Sequence, residues 1–221
     1  MRFIQHLLAV ATLGLVAATA GASPSAPVNG TDYRVLDKAQ QTDSGKKIEV
    51  TEFFWYSCPH CNLLEPSLEA WVKKQGDKIN FKRVPVAFRD SFVPQQKLYF
   101  TLEAMGKVEA LHGKVFRAIH AEKQTLDTDA QILAWIGKQQ GIDAKQFANT
   151  YNSFGVQAKV QRAIQLQSDY KVDGVPMVAI DGRFTTSPSI VSKGLGRSVP
   201  ENVLHDSTLQ VMDWLLTQSK K

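Results

Sequence analysis

The sequence is short of cysteine: its 221 residues contain two, Cys58 and Cys61. A structural zinc centre takes about four protein ligands, and the pair supplies half of that set. The remaining histidines, His6, His112, His120 and His205, show no tight ligand spacing that would complete it. A purely structural disulfide also fits poorly, because a Cys58–Cys61 bridge closes so short a loop that it stabilises the fold little. No long apolar run follows residue 22, so the mature chain is expected to be soluble. An excess of one charge is lacking too. Lys and Arg number 26 against 21 Asp and Glu, a net +5, and no basic run interleaves with aromatics. Nucleic-acid binding is thereby unsupported. No repeat unit is evident. What remains is an ordinary globular composition, 43% hydrophobic and 21% charged, long enough for one or two domains.

Residues 1–22 read as a cleavable secretory signal peptide. Arg2 supplies the positive start and Leu7 to Ala18 the apolar core. Ala18-Thr19-Ala20 or Ala20-Gly21-Ala22 supplies the small-residue cleavage site. The apolar core is too short to span a membrane as a helix. The expected location is the bacterial periplasm or the cell exterior, an oxidising compartment in which a cysteine pair can be oxidised. Residues 23–32, rich in Pro, Ser, Gly and Asn, read as a flexible arm.

The chain is organised around FFWYSCPHCNLLEP, residues 53–66. An aromatic run leads into the cysteines and an amphipathic segment leads out, which predicts a buried strand, a sharp turn and a helix. Pro59 suits the first helical turn, where its missing N–H costs nothing. Cys58 is then at the helix N-terminus and Cys61 about one turn further in. Unpaired N–H groups and the helix dipole favour a thiolate on Cys58, and a protonated His60 adds positive charge beside it. Stabilising the ionised, reduced state makes the disulfide easier to reduce, so the oxidised protein becomes an oxidant.

The strand before the motif, Ile48 to Trp55, is apolar on both faces, as in an α/β sandwich. Glu52 is its misfit, a carboxyl flanked by Val50 and Phe54. It reads as a partly buried proton acceptor or donor beneath the cysteines, with a raised pKa unless paired, or else as an exposed strand-end carboxylate. A second strand lies within residues 78–88 and brings Lys82 or Arg83 within reach of Glu52. Residues 91–170 are helical in period and predict a compact domain of four or five helices. Residues 175–180 revert to strand, Asp181-Gly182 marks a hairpin, residues 186–200 read as a loop, and Val203 to Leu216 forms a final helix. The α/β part thus comprises residues 33–90 and 171–221, split by the helical insertion.

EFFWYSCPHC paired with GVPMVAIDGRF across a helical block resembles the thioredoxin-fold disulfide oxidoreductases. It is most similar to the DsbA family of bacterial periplasmic thiol oxidases. The resemblance implies a thioredoxin-like fold with an inserted all-helical domain. It implies an exposed nucleophile at Cys58, a buried resolving partner at Cys61, and thiolate stabilisation by His60 within the Pro59-His60 dipeptide. It further implies a cis-proline at Pro176 facing the cysteines, substrate backbone pairing at Val175, and a buried acid at Glu52. Arg83 stands where the family usually has lysine. The expected activity is donation of the Cys58–Cys61 disulfide to newly exported proteins with free thiols. No cofactor is expected beyond that disulfide, which a quinone-linked membrane oxidase of the DsbB type would restore to a monomeric protein. A reductase or isomerase on the same scaffold, and a redox-inert chaperone, are the alternatives.

Overall fold

The computed structural model of the protein describes residues 26–219. The expected signal peptide lies outside the described residues. Strand β2 (Ile48–Phe54) is the centre of the molecule, with all seven of its residues buried. It has a neighbour on either side: β3 (Ile79–Pro85) runs parallel to it and β4 (Met177–Ile180) antiparallel. Strand β5 (Phe184–Thr186) pairs with β4, and the short β1 (Arg34–Val35) pairs with β5, giving a five-stranded sheet in the order β1-β5-β4-β2-β3. The β4–β5 turn is Asp181-Gly182, with φ of 56° and 63°. Both values lie in the left-handed region that tight hairpins require.

Helix α1 (Pro59–Gln75) makes the crossover that a parallel β2–β3 pair needs. Its Leu64, Leu68 and Trp71 pack on Val50 and Val178 of the sheet. The C-terminal helix, α8 (Glu201–Gln218), adds Val211, Met212 and Leu215 to the same core. Burying side chains of this size contributes roughly 1.5–3 kcal/mol each.

Between β3 and β4 lie α2 (Val93–Ala104), α3 (Val108–His120), α4 (Asp129–Ile136), α5 (Ala144–Tyr151) and α6 (Phe154–Asp169). Their apolar stripes close on the opposite side of the sheet. Phe53, Met177 and Ala179 join Leu98, Leu102, Val160 and Ala163 in one continuous core. The architecture is the expected thioredoxin-like α/β fold with a helical insertion, and the insertion shares its core with the sheet.

Two expectations need correction. Residues 186–200 are not a loop, for they contain α7 (Pro188–Leu195). The Ser187 hydroxyl accepts the Ile190 N–H at 3.1 Å, and Pro188 occupies the first turn. Ile190 and Val191 are buried, and Gly196 ends the helix with a left-handed φ of 63°. Ser and Pro here are helix-start chemistry rather than turn chemistry. The supposed flexible arm is fixed over residues 26–32. Asp32 is buried and its Oδ2 accepts the Val28 N–H at 2.8 Å, while its carbonyl accepts the Thr186 hydroxyl at 2.8 Å. Thr31 and Asp32 lie so close to Gly194 of α7 that a Cβ there would come within 2.3 Å of Asp32 Oδ1.

Candidate dithiol site

Cys58 is the N-cap of α1, with φ −78° and ψ 116°, and Pro59 opens the first turn. The Cys58 sulfur accepts the Cys61 N–H at 3.4 Å, satisfying one of the helix's unpaired donors. Its backbone N–H donates to the Trp55 carbonyl at 3.0 Å, which sets the sharp turn out of β2. The Cys58 thiol lies against the loop before β4 and donates to the Val175 carbonyl at 3.4 Å. The Val175–Pro176 peptide is cis. Both cysteines are free thiols.

Cys58 is therefore not the exposed residue expected from the sequence. It is 6% exposed and Cys61 is fully buried, because the Val175 segment covers the turn. The two sulfurs differ in acidity. A hydrogen bond from the Cys61 thiol brings the Cys58 pKa down to about 6, against the opposing effect of burial. The N–H groups of Cys61 and His60 and the His60 charge add smaller contributions. Burial, the shared hydrogen bond and the charges of Cys58 and Glu52 push Cys61 well above its ordinary value. The order of causes differs from the sequence expectation: the partner thiol comes first and the His60 charge last. The His60 side chain is 69% exposed, with Nδ1 at 3.5 Å from Glu201 Oε1 at the start of α8. Solvent screens much of its charge.

Glu52 is fully buried at mid-strand, opposite Arg83 in the β2–β3 register. That register settles which cation pairs with it. Arg83 Nε donates to Glu52 Oε2 at 3.1 Å, while Lys82 donates to Glu49 at 2.7 Å and also pairs with Asp43. Burial, then the neighbouring Glu65 carboxylate, lifts Glu52 to about 8 despite the Arg83 ion pair. The sequence reading missed Glu65, which accepts Arg83 Nη2 at 2.5 Å, and His112, whose Nδ1 is 2.9 Å from the Tyr56 hydroxyl. Both carried a signal. Glu65 interrupts the apolar face formed by Leu64 and Leu68, and His112 stands at helical spacing from Val115 and Phe116.

Beside the cysteines, a cleft of about 500 Å³ is lined by His60, Val175, Pro176, Ile190, Glu201 and Leu204, among others. Among the described residues, no group of three His, Cys, Asp or Glu side chains could hold a metal ion.

A dithiol on the first turn of the helix after a central strand, with a Val-Pro segment closing over it, defines a thioredoxin-fold thiol:disulfide oxidoreductase. Within that class the chain belongs to the DsbA family. The family model described as a DSBA-like thioredoxin domain matches residues 49–196. The chain is 45% identical over 208 residues to the thiol:disulfide interchange protein DsbA of Burkholderia cepacia, covering 94% of this chain and 92% of that protein. It is 38% identical over 217 residues to the DsbA of Bordetella parapertussis, covering 98% of this chain and 97% of the relative. The crystal structure of Pseudomonas aeruginosa DsbA superposes with a TM-score of 0.76 at 31% identity, covering 86% of this chain and 92% of that one.

Proposed function

We propose that this protein is a disulfide donor that passes a Cys58–Cys61 disulfide to newly exported proteins with free thiols. The observation that carries this reading is the acidity difference between the two sulfurs. A substrate thiolate attacks the Cys58 sulfur of the disulfide. The Cys58–Cys61 bond breaks, and Cys61 leaves and takes up a proton, since its thiol is the favoured form. A second substrate thiolate then attacks the substrate sulfur of the mixed disulfide. Cys58 leaves as a stable thiolate, which makes it the better leaving group. The substrate is oxidised by two electrons and the protein is reduced by the same two.

Other residues take supporting parts. Pro59 starts the helix whose N–H groups face Cys58, and His60 adds positive charge beside the thiolate. Val175 offers backbone groups to an extended substrate, and Pro176 holds that segment against the cysteines. Glu52 exchanges the Cys61 proton. Reoxidation falls to a quinone-linked membrane oxidase of the DsbB type. The setting is the periplasm and the working form a monomer. Among the described residues no helix is long and apolar enough to cross a membrane. Equilibration of the purified protein with glutathione redox buffers tests the reading. A potential well above that of thioredoxin is expected, and one as reducing as thioredoxin's would overturn it.

A further inference from the structure

The helical insertion contributes a buried group that the disulfide exchange above leaves unused. His112 of α3 is 5% exposed, and the rings of Phe54, Tyr99 and Phe116 stand around its imidazole. Its Nδ1 meets the hydroxyl of Tyr56, two residues before Cys58, at 2.9 Å. Its Nε2 makes no aligned hydrogen bond and lies 3.4 Å from Glu65 Oε1, the oxygen that also takes Arg83 Nη2. Arg83 reaches Glu52 with Nε. A polar chain Tyr56–His112–Glu65–Arg83–Glu52 therefore runs through apolar packing from the dithiol turn to the carboxyl beneath Cys61.

The chain holds two carboxyls and one guanidinium. Two buried carboxylates against one cation leave an uncompensated charge, and a single proton removes it. Which carboxyl takes that proton depends on the donors each one faces. Each has one oxygen with no partner, Glu52 Oε1 and Glu65 Oε2, and each takes one Arg83 nitrogen. The difference is the imidazole, which faces Glu65 alone. If the Tyr56 hydroxyl donates to Nδ1, the ring hydrogen is left on Nε2, pointing at Glu65.

We propose that His112 is a positioning residue that holds the proton of the Glu52–Glu65 pair on Glu52, by presenting its Nε2–H to Glu65. The inference rests on the reading of Glu52 as the carboxyl that serves Cys61. The charged and titratable groups facing the imidazole are Glu65 and Glu69 of α1, Arg83 of β3, Tyr99 of α2 and Tyr56 after β2. Burial holds His112 below its ordinary pKa, so the ring is neutral, against the opposing pull of Glu65. Burial raises Glu65, but its contacts with His112 and Arg83 outweigh it and keep Glu65 low.

The test is the titration of both carboxyls by the carbon-13 shifts of their side-chain carboxyl carbons, assigned with Glu52→Gln and Glu65→Gln. In the wild type Glu52 is expected to titrate above Glu65. In His112→Phe the Glu65 midpoint should rise by about one pH unit or more, a tenfold change in proton affinity, while that of Glu52 falls. His112→Gln, which keeps an N–H donor, should restore the wild-type order. Unchanged midpoints in His112→Phe would overturn the proposal. The nitrogen-15 shifts of His112 in the wild type provide a check that needs no substitution. A hydrogen on Nε2 and a bare Nδ1 are expected, and the opposite tautomer would overturn the proposal even if His112→Phe failed to fold. Neither readout involves disulfide transfer, so a failure here is distinct from a failure of the redox-buffer experiment.

Discussion

The sulfur of Cys58 lies 3.4 Å from the carbonyl oxygen of Val175, a residue 117 positions away in sequence. A thiol donates to that oxygen, whereas a thiolate has no proton to give. Ionisation of Cys58 therefore ends the contact and leaves the carbonyl available to a peptide N–H.

The ultraviolet absorbance of the thiolate should report this ionisation. Titrating the reduced protein should give one transition, with a midpoint of about 6, from Cys58 alone. Cys61 should stay silent through neutral pH, because burial holds it as a thiol. A midpoint near the free-cysteine value of ~8.5 would remove the basis of the proposed activity.

The same shift makes the stability of the reduced form depend on pH. The Cys58 pKa is depressed from an ordinary 9.0 to about 6 in the folded protein. Its contribution is therefore fully present above the unfolded value and lost as pH falls through the folded one. At about pH 7 it is on the order of 1–2 kcal/mol. Urea unfolding of the reduced and oxidised proteins should show the reduced form losing stability relative to the oxidised form on acidification from neutral through pH ~6. Parallel curves for the two forms would contradict this.

Glu52 acts in the opposite sense. Its folded pKa is raised from 4.5 to about 8, so its contribution is complete below the unfolded value and lost as pH rises through the folded one. Across that window the wild type should lose up to about 1.4 kcal/mol per pH unit, and Glu52→Gln should flatten the loss. A stability profile of Glu52→Gln that runs parallel to the wild type would show that this carboxyl does not titrate there.

Arg83→Met should be among the most damaging single substitutions. It leaves Glu52 and Glu65 facing each other without a cation, and losing one partner of a buried ion pair costs about 3–5 kcal/mol. Above pH ~8, where Glu52 is ionised, the loss should shrink in the Glu52→Gln background, because one buried carboxylate is then gone. Additive losses in the double variant would mean that the two groups are not coupled.

Cys61→Ser treated with glutathione disulfide should release one glutathione thiol and keep the other half on Cys58 as a mixed disulfide, visible by mass spectrometry, because no Cys61 thiol is there to displace it. Cys58→Ser should trap nothing, with Cys61 fully buried. Trapping by the Cys58→Ser variant would reverse the assigned order of attack.

Much of the fold was legible, because strand period, helix period and the CPHC turn are local signals. The strand–turn–helix at residues 48–75, the hairpin at Asp181-Gly182 and the helical insertion all follow from such signals. Glu52 stood out because a carboxyl between Val50 and Phe54 conflicts with its surroundings. Its partner did not stand out. Lys82 and Arg83 are adjacent, and only the β2–β3 register sends one to each face. Helix α7 was hidden because Ser187 and Pro188 serve turns and helix starts alike. The depth of Cys58 was hidden because the group that covers it comes from the far end of the chain. Glu65 and His112 were visible as polar breaks in apolar stripes, but their meeting across α1 and α3 is a tertiary fact.

The continuous core shared by sheet and insertion sets the order in which this protein matures. A chain emerging N-terminus first displays Cys58 and Cys61 long before Val175 and Met177 exist beside them. Until β4 docks, the Val175 carbonyl does not cover Cys58, and Met177 and Ala179 are missing from the core that Cys61 joins. A half-made molecule thus carries its dithiol turn uncovered, and the cover arrives only with the last quarter of its length.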